Sequence, residues 1–136
     1  MNTTTAKQPK AKTTSANQEL GAFIGELYSF NNSLKLYHWH VTGKGSYAQH
    51  IALDQAIDTL TDTLDRIAET TFALVGDLNV VIPQTSAPND IAKHVSGFYD
   101  YVNSKRELFT EDFTQSIIDD IQEANQQLLY RLVRLQ

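Results

Sequence analysis

Apolar residues recur at helical spacing in four blocks along this chain. From Asn17 to about Val41 the series Leu20, Phe23, Ile24, Leu27, Phe30, Leu34 and Tyr37 keeps one face apolar over many turns, which predicts a long first helix. Thr42-Gly43-Lys44-Gly45 follows, where two glycines allow a turn that other residues resist. Ser46 stands three residues before Gln49, a capping-box pattern, and Leu53, Ile57, Leu60, Leu64, Ile67 and Ala68 carry a second helix to about Val75. Residues 76–88 include Pro83 and Pro88 and lose the period, so they predict a crossing segment, with Leu78 to Ile82 β-branched enough to be extended. Asn89 or Asp90 can cap a third helix marked by Ile91, Val95, Phe98, Tyr99, Val102 and Phe109. After a break at residues 110–112, a fourth is marked by Ile117, Ile118, Ile121, Ala124, Leu128, Leu132 and Leu135.

Two long helices, a longer connection and two more helices predict an all-α fold, the ferritin-like form of the four-helix bundle. With 136 residues the chain is one domain, expected over residues 17–136 behind a basic, Thr-rich and disordered tail over residues 1–16. The chain has no cysteine, so disulfides and thiolate metal sites are excluded and any metal must be held by imidazole, carboxylate or water. No segment approaches the roughly 18 apolar residues of a membrane span, and the polar start has no apolar signal region, so a soluble, cytoplasmic protein is expected.

Charge sharpens the division between tail and body. Lys7, Lys10 and Lys12 lie in a stretch without acids, and the rest of the chain sets eight basic residues against all sixteen acidic ones. Such a body repels phosphate, so DNA binding, if it occurs, falls to the three tail lysines, multiplied by assembly.

The candidate chemistry sits on the second helix. At roughly 100° per residue, His50, Asp54, Asp65 and Glu69 fall within an arc of about 100° that borders the apolar stripe. Charges at a packed boundary need compensation. Arg66 is the only Lys or Arg between Gly45 and Ile91, so a metal explains the stripe better than a solvated row of salt bridges. His50 and Asp54 are four apart and converge on one ion, as do Asp65 and Glu69, but Asp54 and Asp65 are separated by about 16 Å along the axis. One copy of the helix cannot close the site. Two copies antiparallel about a two-fold axis near residues 59 and 60 can, because residue n then meets residue 119 − n, setting His50 against Glu69 and Asp54 against Asp65, twice per dimer.

Leu36-Tyr37-His38-Trp39-His40-Val41-Thr42-Gly43, followed by His50, Asp54, Asp65 and Glu69 at their present spacings, resembles the ferroxidase signature of the Dps miniferritins. More weakly, Asp112-Phe113-Thr114 and Tyr130 are similar to that family's last helix, so the likeness covers residues 17–136. It implies His38, His50 and Asp54 as iron ligands from one subunit and Asp65 and Glu69 from its two-fold partner. It further implies Trp39 as an electron donor beside the iron, a dodecameric shell, oxidation of Fe(II) by peroxide or dioxygen, and iron storage. His40 departs from the family's usual asparagine, and the stretch from Glu69 to Asp112 is short, which bears on the shell. Two other readings compete: an assembly protein without iron turnover, and a DNA-compacting protein. For single residues, His38 could instead be a satisfied core histidine and Trp39 a core or interface residue. His40 and His94 read as surface residues, and Asp58 and Asp62, near the presumed axis, as outer-shell or iron-guiding acids.

Overall fold

The computed structural model describes residues 10–135. Four helices, α1 (Lys10–His38), α2 (Ser46–Val75), α3 (Ile91–Lys105) and α4 (Asp112–Arg134), pack together, with a 3-10 turn over Arg106–Leu108. The chain is all-helical among the described residues, and none of these helices is long and apolar enough to cross a membrane. The first nine residues of the expected tail, Lys7 among them, lie outside the described residues; Lys10 and Lys12 fall in α1, which starts seven residues before Asn17.

The apolar stripes meet in one core. Phe23, Leu27 and Leu34 of α1, Leu53, Leu60 and Leu64 of α2, Val95 and Val102 of α3, and Ile118, Ile121 and Leu128 of α4 are buried together. Burying side chains of this size is the main force holding the helices, at about 1.5–3 kcal/mol each. Phe109, expected inside the third helix, has extended φ and ψ of −123° and 133° after the 3-10 turn, yet it still reaches the core and packs against Phe23. Leu135, beyond the end of α4, is exposed.

Side-chain contacts fix the helix directions. Asn31 reaches Ile57 and Thr61, while His38 stacks on His50, so α1 and α2 are antiparallel. Gln122 and Asn125 reach the carbonyls of Tyr99 and Val95, which makes α3 and α4 antiparallel as well. Residues 76–90 contain no helix and lie along α1 in its own direction. Asn79 and Val81 cover the buried glycines Gly21 and Gly25, and Ser29 hydrogen-bonds Thr85 at 2.7 Å. A Cβ at either glycine would strike a backbone carbonyl of this strap, which explains why small residues interrupt the stripe of α1 there.

The ends of the helices follow local chemistry. Gly43 and Gly45 adopt φ of 87° and 81° in the α1–α2 turn, as their permissive backbones predict. The Ser46 capping box does not form. Gly45 occupies the cap position without a side-chain bond, and Ser46 is already helical. Asp90 does cap α3, accepting from the Lys93 N–H at 3.1 Å.

His94 departs from the surface position expected for it. Three residues after Ile91, it faces α1, half-buried, stacked on Phe30 with 5.2 Å between centroids. Its Nε2 lies 2.7 Å from Ser33 Oγ, whose own proton goes to the Phe30 carbonyl at 2.6 Å. Burial holds the imidazole below its ordinary pKa, so the unfolded chain takes up its proton first as pH falls. This contribution to stability is therefore complete above about pH 6.5 and is lost below it. Urea midpoints at pH 7.5 and pH 5 should fall further in the wild type than in His94→Gln; equal falls would contradict the assignment.

Candidate metal centre

His38 is the last residue of α1, and the fold turns immediately after it. The His40 N–H donates to the Tyr37 carbonyl at 2.8 Å, and the two left-handed glycines bring the chain round into α2. Two turns into α2, His50 and Asp54 therefore arrive beneath the end of α1. The two imidazoles stack with centroids 3.8 Å apart and planes 24° from parallel. His38 Nε2 lies 2.8 Å from Asp54 Oδ1, and His50 Nε2 lies 3.8 Å from Asp54 Oδ2. One donor atom from each of the three residues falls within 4.8 Å of the others.

Protonation follows from the hydrogen bonds. His50 Nδ1 lies 3.3 Å from the carbonyl oxygen of His38, and a carbonyl can only accept. The proton of a neutral His50 therefore sits on Nδ1, which leaves the Nε2 lone pair on the Asp54 side, the arrangement that prepares an imidazole for a metal. His38 is 6% exposed, which excludes free hydration. Its Nε2 pairs with Asp54 Oδ1 at 2.8 Å, whereas its Nδ1 is buried without a hydrogen-bond partner among the described residues. Such an orphaned nitrogen costs about 1–3 kcal/mol, and a bound ion is one recognised remedy. His38 is thus a core histidine satisfied at one nitrogen only.

Asp54 is partly exposed and is shared among its neighbours. Desolvation pushes its carboxyl up, but the hydrogen bond from His38, together with the electrostatic pull of His38, Lys35 and His50, outweighs that effect and holds it below the ordinary carboxylate range. Lys35, one turn before His38, places Nζ 3.7 Å from Asp54 Oδ1. The shortage of cations counted along the second helix is thus relieved from across the bundle at Asp54. Arg66, by contrast, turns away from the stripe and pairs with Asp120 of α4 at 3.0 Å.

Within one chain the fold joins three of the five expected ligands. Asp65 and Glu69 are exposed farther along α2, beside Tyr28 of α1, whose phenol is raised first by burial and then by these two negative charges. Asp58 and Asp62 are exposed between the two groups. Trp39 follows the end of α1 and is 66% exposed, so it is not a core residue of this chain. His40 is exposed, as expected. Sequence reasoning did not single out Lys35 or Tyr28, although their spacings of three and ten residues before His38 place both near its face of α1.

Residues 38–132 match DUF5856, described as a family of unknown function. No curated protein and no solved structure matches the chain.

Proposed function

The chain belongs to the family DUF5856, and we propose that it is a ferritin-like, Dps-type protein that binds Fe(II) at a site shared between two subunits and oxidises it. The observation that carries this reading is the convergence of His38, His50 and Asp54 around a buried imidazole whose Nδ1 has no hydrogen-bond partner among the described residues. Two neutral nitrogens and a carboxylate suit a first-row divalent ion, and three protein ligands leave its coordination incomplete. Asp65 and Glu69 of a second copy complete the set in the antiparallel register that their spacing from His50 and Asp54 allows.

Iron is the substrate in this reading. The imidazoles of His38 and His50 hold Fe(II), and the carboxylates favour the more highly charged, harder Fe(III) product. Two Fe(II) ions give one electron each to hydrogen peroxide, which takes two protons and leaves as two water molecules. The Nδ1–H bond from His50 to the His38 carbonyl fixes the ring during this change of charge. In this reading Trp39, exposed next to His38, meets a partner subunit and supplies an electron when iron alone cannot complete the reduction. Storage in a larger shell and a cytoplasmic location belong to the same proposal.

Anaerobic titration with Fe(II), followed by peroxide, should give stoichiometric binding and oxidation in the wild type. His38→Ala, folded by circular dichroism, should lose most of both. A wild type that binds no iron would rule the proposal out.

A further inference from the structure

We propose that Lys35 is a built-in counter-cation of the metal centre, which weakens binding of divalent ions and sets the metal concentration at which the site fills. The inference rests on the metal-binding reading above. Its starting point is one oxygen atom with two claimants. Asp54 Oδ1 lies 2.8 Å from His38 Nε2 and 3.7 Å from Lys35 Nζ, so the oxygen best placed to join an ion held by His38 already faces an ammonium group. An incoming cation must compete for it.

Two features make this competition adjustable. The Lys35 side chain is 45% exposed and that of Asp54 is 44% exposed, so the ammonium can move toward water while its backbone stays fixed in α1. It cannot go far, because Lys35 is one turn from His38 on the same helix. A divalent ion in the site therefore remains within several ångströms of a positive charge. At a separation of about 5 Å the repulsion lies between the weak limit of bulk water and the strong limit of the protein interior, enough for about a tenfold effect on affinity.

The same charge bears on how many ions the site accepts. Asp54 with Asp65 and Glu69 of a second copy would bring three negative charges, and neutral histidines bring none. Lys35 lowers the total to two, which one divalent ion balances. Removing Lys35 leaves one negative charge uncompensated and favours a more strongly charged occupant.

Cobalt(II) tests the idea without iron oxidation. Anaerobic calorimetric titration of the full chain should show Lys35→Met and Lys35→Gln binding Co(II) about ten times more tightly than the wild type, and Lys35→Arg binding much like it. The advantage of the neutral variants should shrink as salt is raised, because screening acts on a charge that is half exposed. Two neutral variants guard against one of them folding poorly. Unchanged or weaker binding in both would overturn the role of Lys35 while leaving the metal site intact. An equal gain in Lys35→Arg would also overturn it, since packing rather than charge would then be responsible. If neither the wild type nor any variant binds Co(II), the metal-site reading fails, and this inference with it.

Discussion

Combining a His50→Ala chain with a Glu69→Ala chain should restore iron oxidation to about half the wild-type value in the purified heterodimer, although each homodimer is inactive. The expectation follows from where the fold places the proposed ligands. His50 joins His38 and Asp54 within one chain, whereas Asp65 and Glu69 lie eleven and fifteen residues beyond Asp54 on the same helix. At 1.5 Å per residue these distances exceed any coordination sphere. In the two-fold arrangement each homodimer lacks one ligand at both sites. The heterodimer concentrates both defects in one site and leaves the other whole. A site contained in one chain predicts no recovery, so a folded but inactive heterodimer would remove the shared-site mechanism. Tyr47 and Phe72, both exposed on α2, provide a check on register, because their numbers also sum to 119 and should meet across the axis.

The second large effect concerns the strap over α1. Gly25→Ala should lower stability by about 1–3 kcal/mol, because the new methyl group would strike the Val81 carbonyl, a backbone atom that cannot rotate aside. Helix propensity alone predicts the reverse, since alanine is better than glycine in a helix interior by about 1 kcal/mol. The sign of the result therefore identifies the winner. Gly97→Ala in α3 is the matching control: its added Cβ meets nothing within 4 Å, and the substitution should stabilise the chain. Thermal unfolding followed by circular dichroism compares the two, and a higher Tm for Gly25→Ala would mean that the strap does not bear on α1 as described.

What could be read along the chain was whatever repeats along one element. The four apolar stripes, the turn glycines and the Asp90 cap are all local, and each has its counterpart in the fold. The convergence of His50 with Asp54 was legible for the same reason, being a spacing of four on one helix. Relations between helices were less accessible. The pairing of Lys35 with Asp54 joins α1 to α2, and inspection of the second helix alone could not reveal it. His94, read as a surface residue, instead takes its direction from packing against Phe30 of another helix. The start of α2 differed because Gly45, in a left-handed conformation, took the position assigned to the Ser46 side chain.

The hairpin that carries His38, His50 and Asp54 also governs when a metal could first be captured as the chain folds. All three residues fall within residues 38–54, joined by one short turn, and closing so short a loop needs little chain entropy compared with bringing α2 against α4. The half-site can thus exist in a chain whose second helix pair has yet to dock. An ion held there would tie α1 to α2 early and favour the antiparallel pair over competing collapsed states. Metal supply would then influence the yield of folded subunits as well as the activity of finished ones.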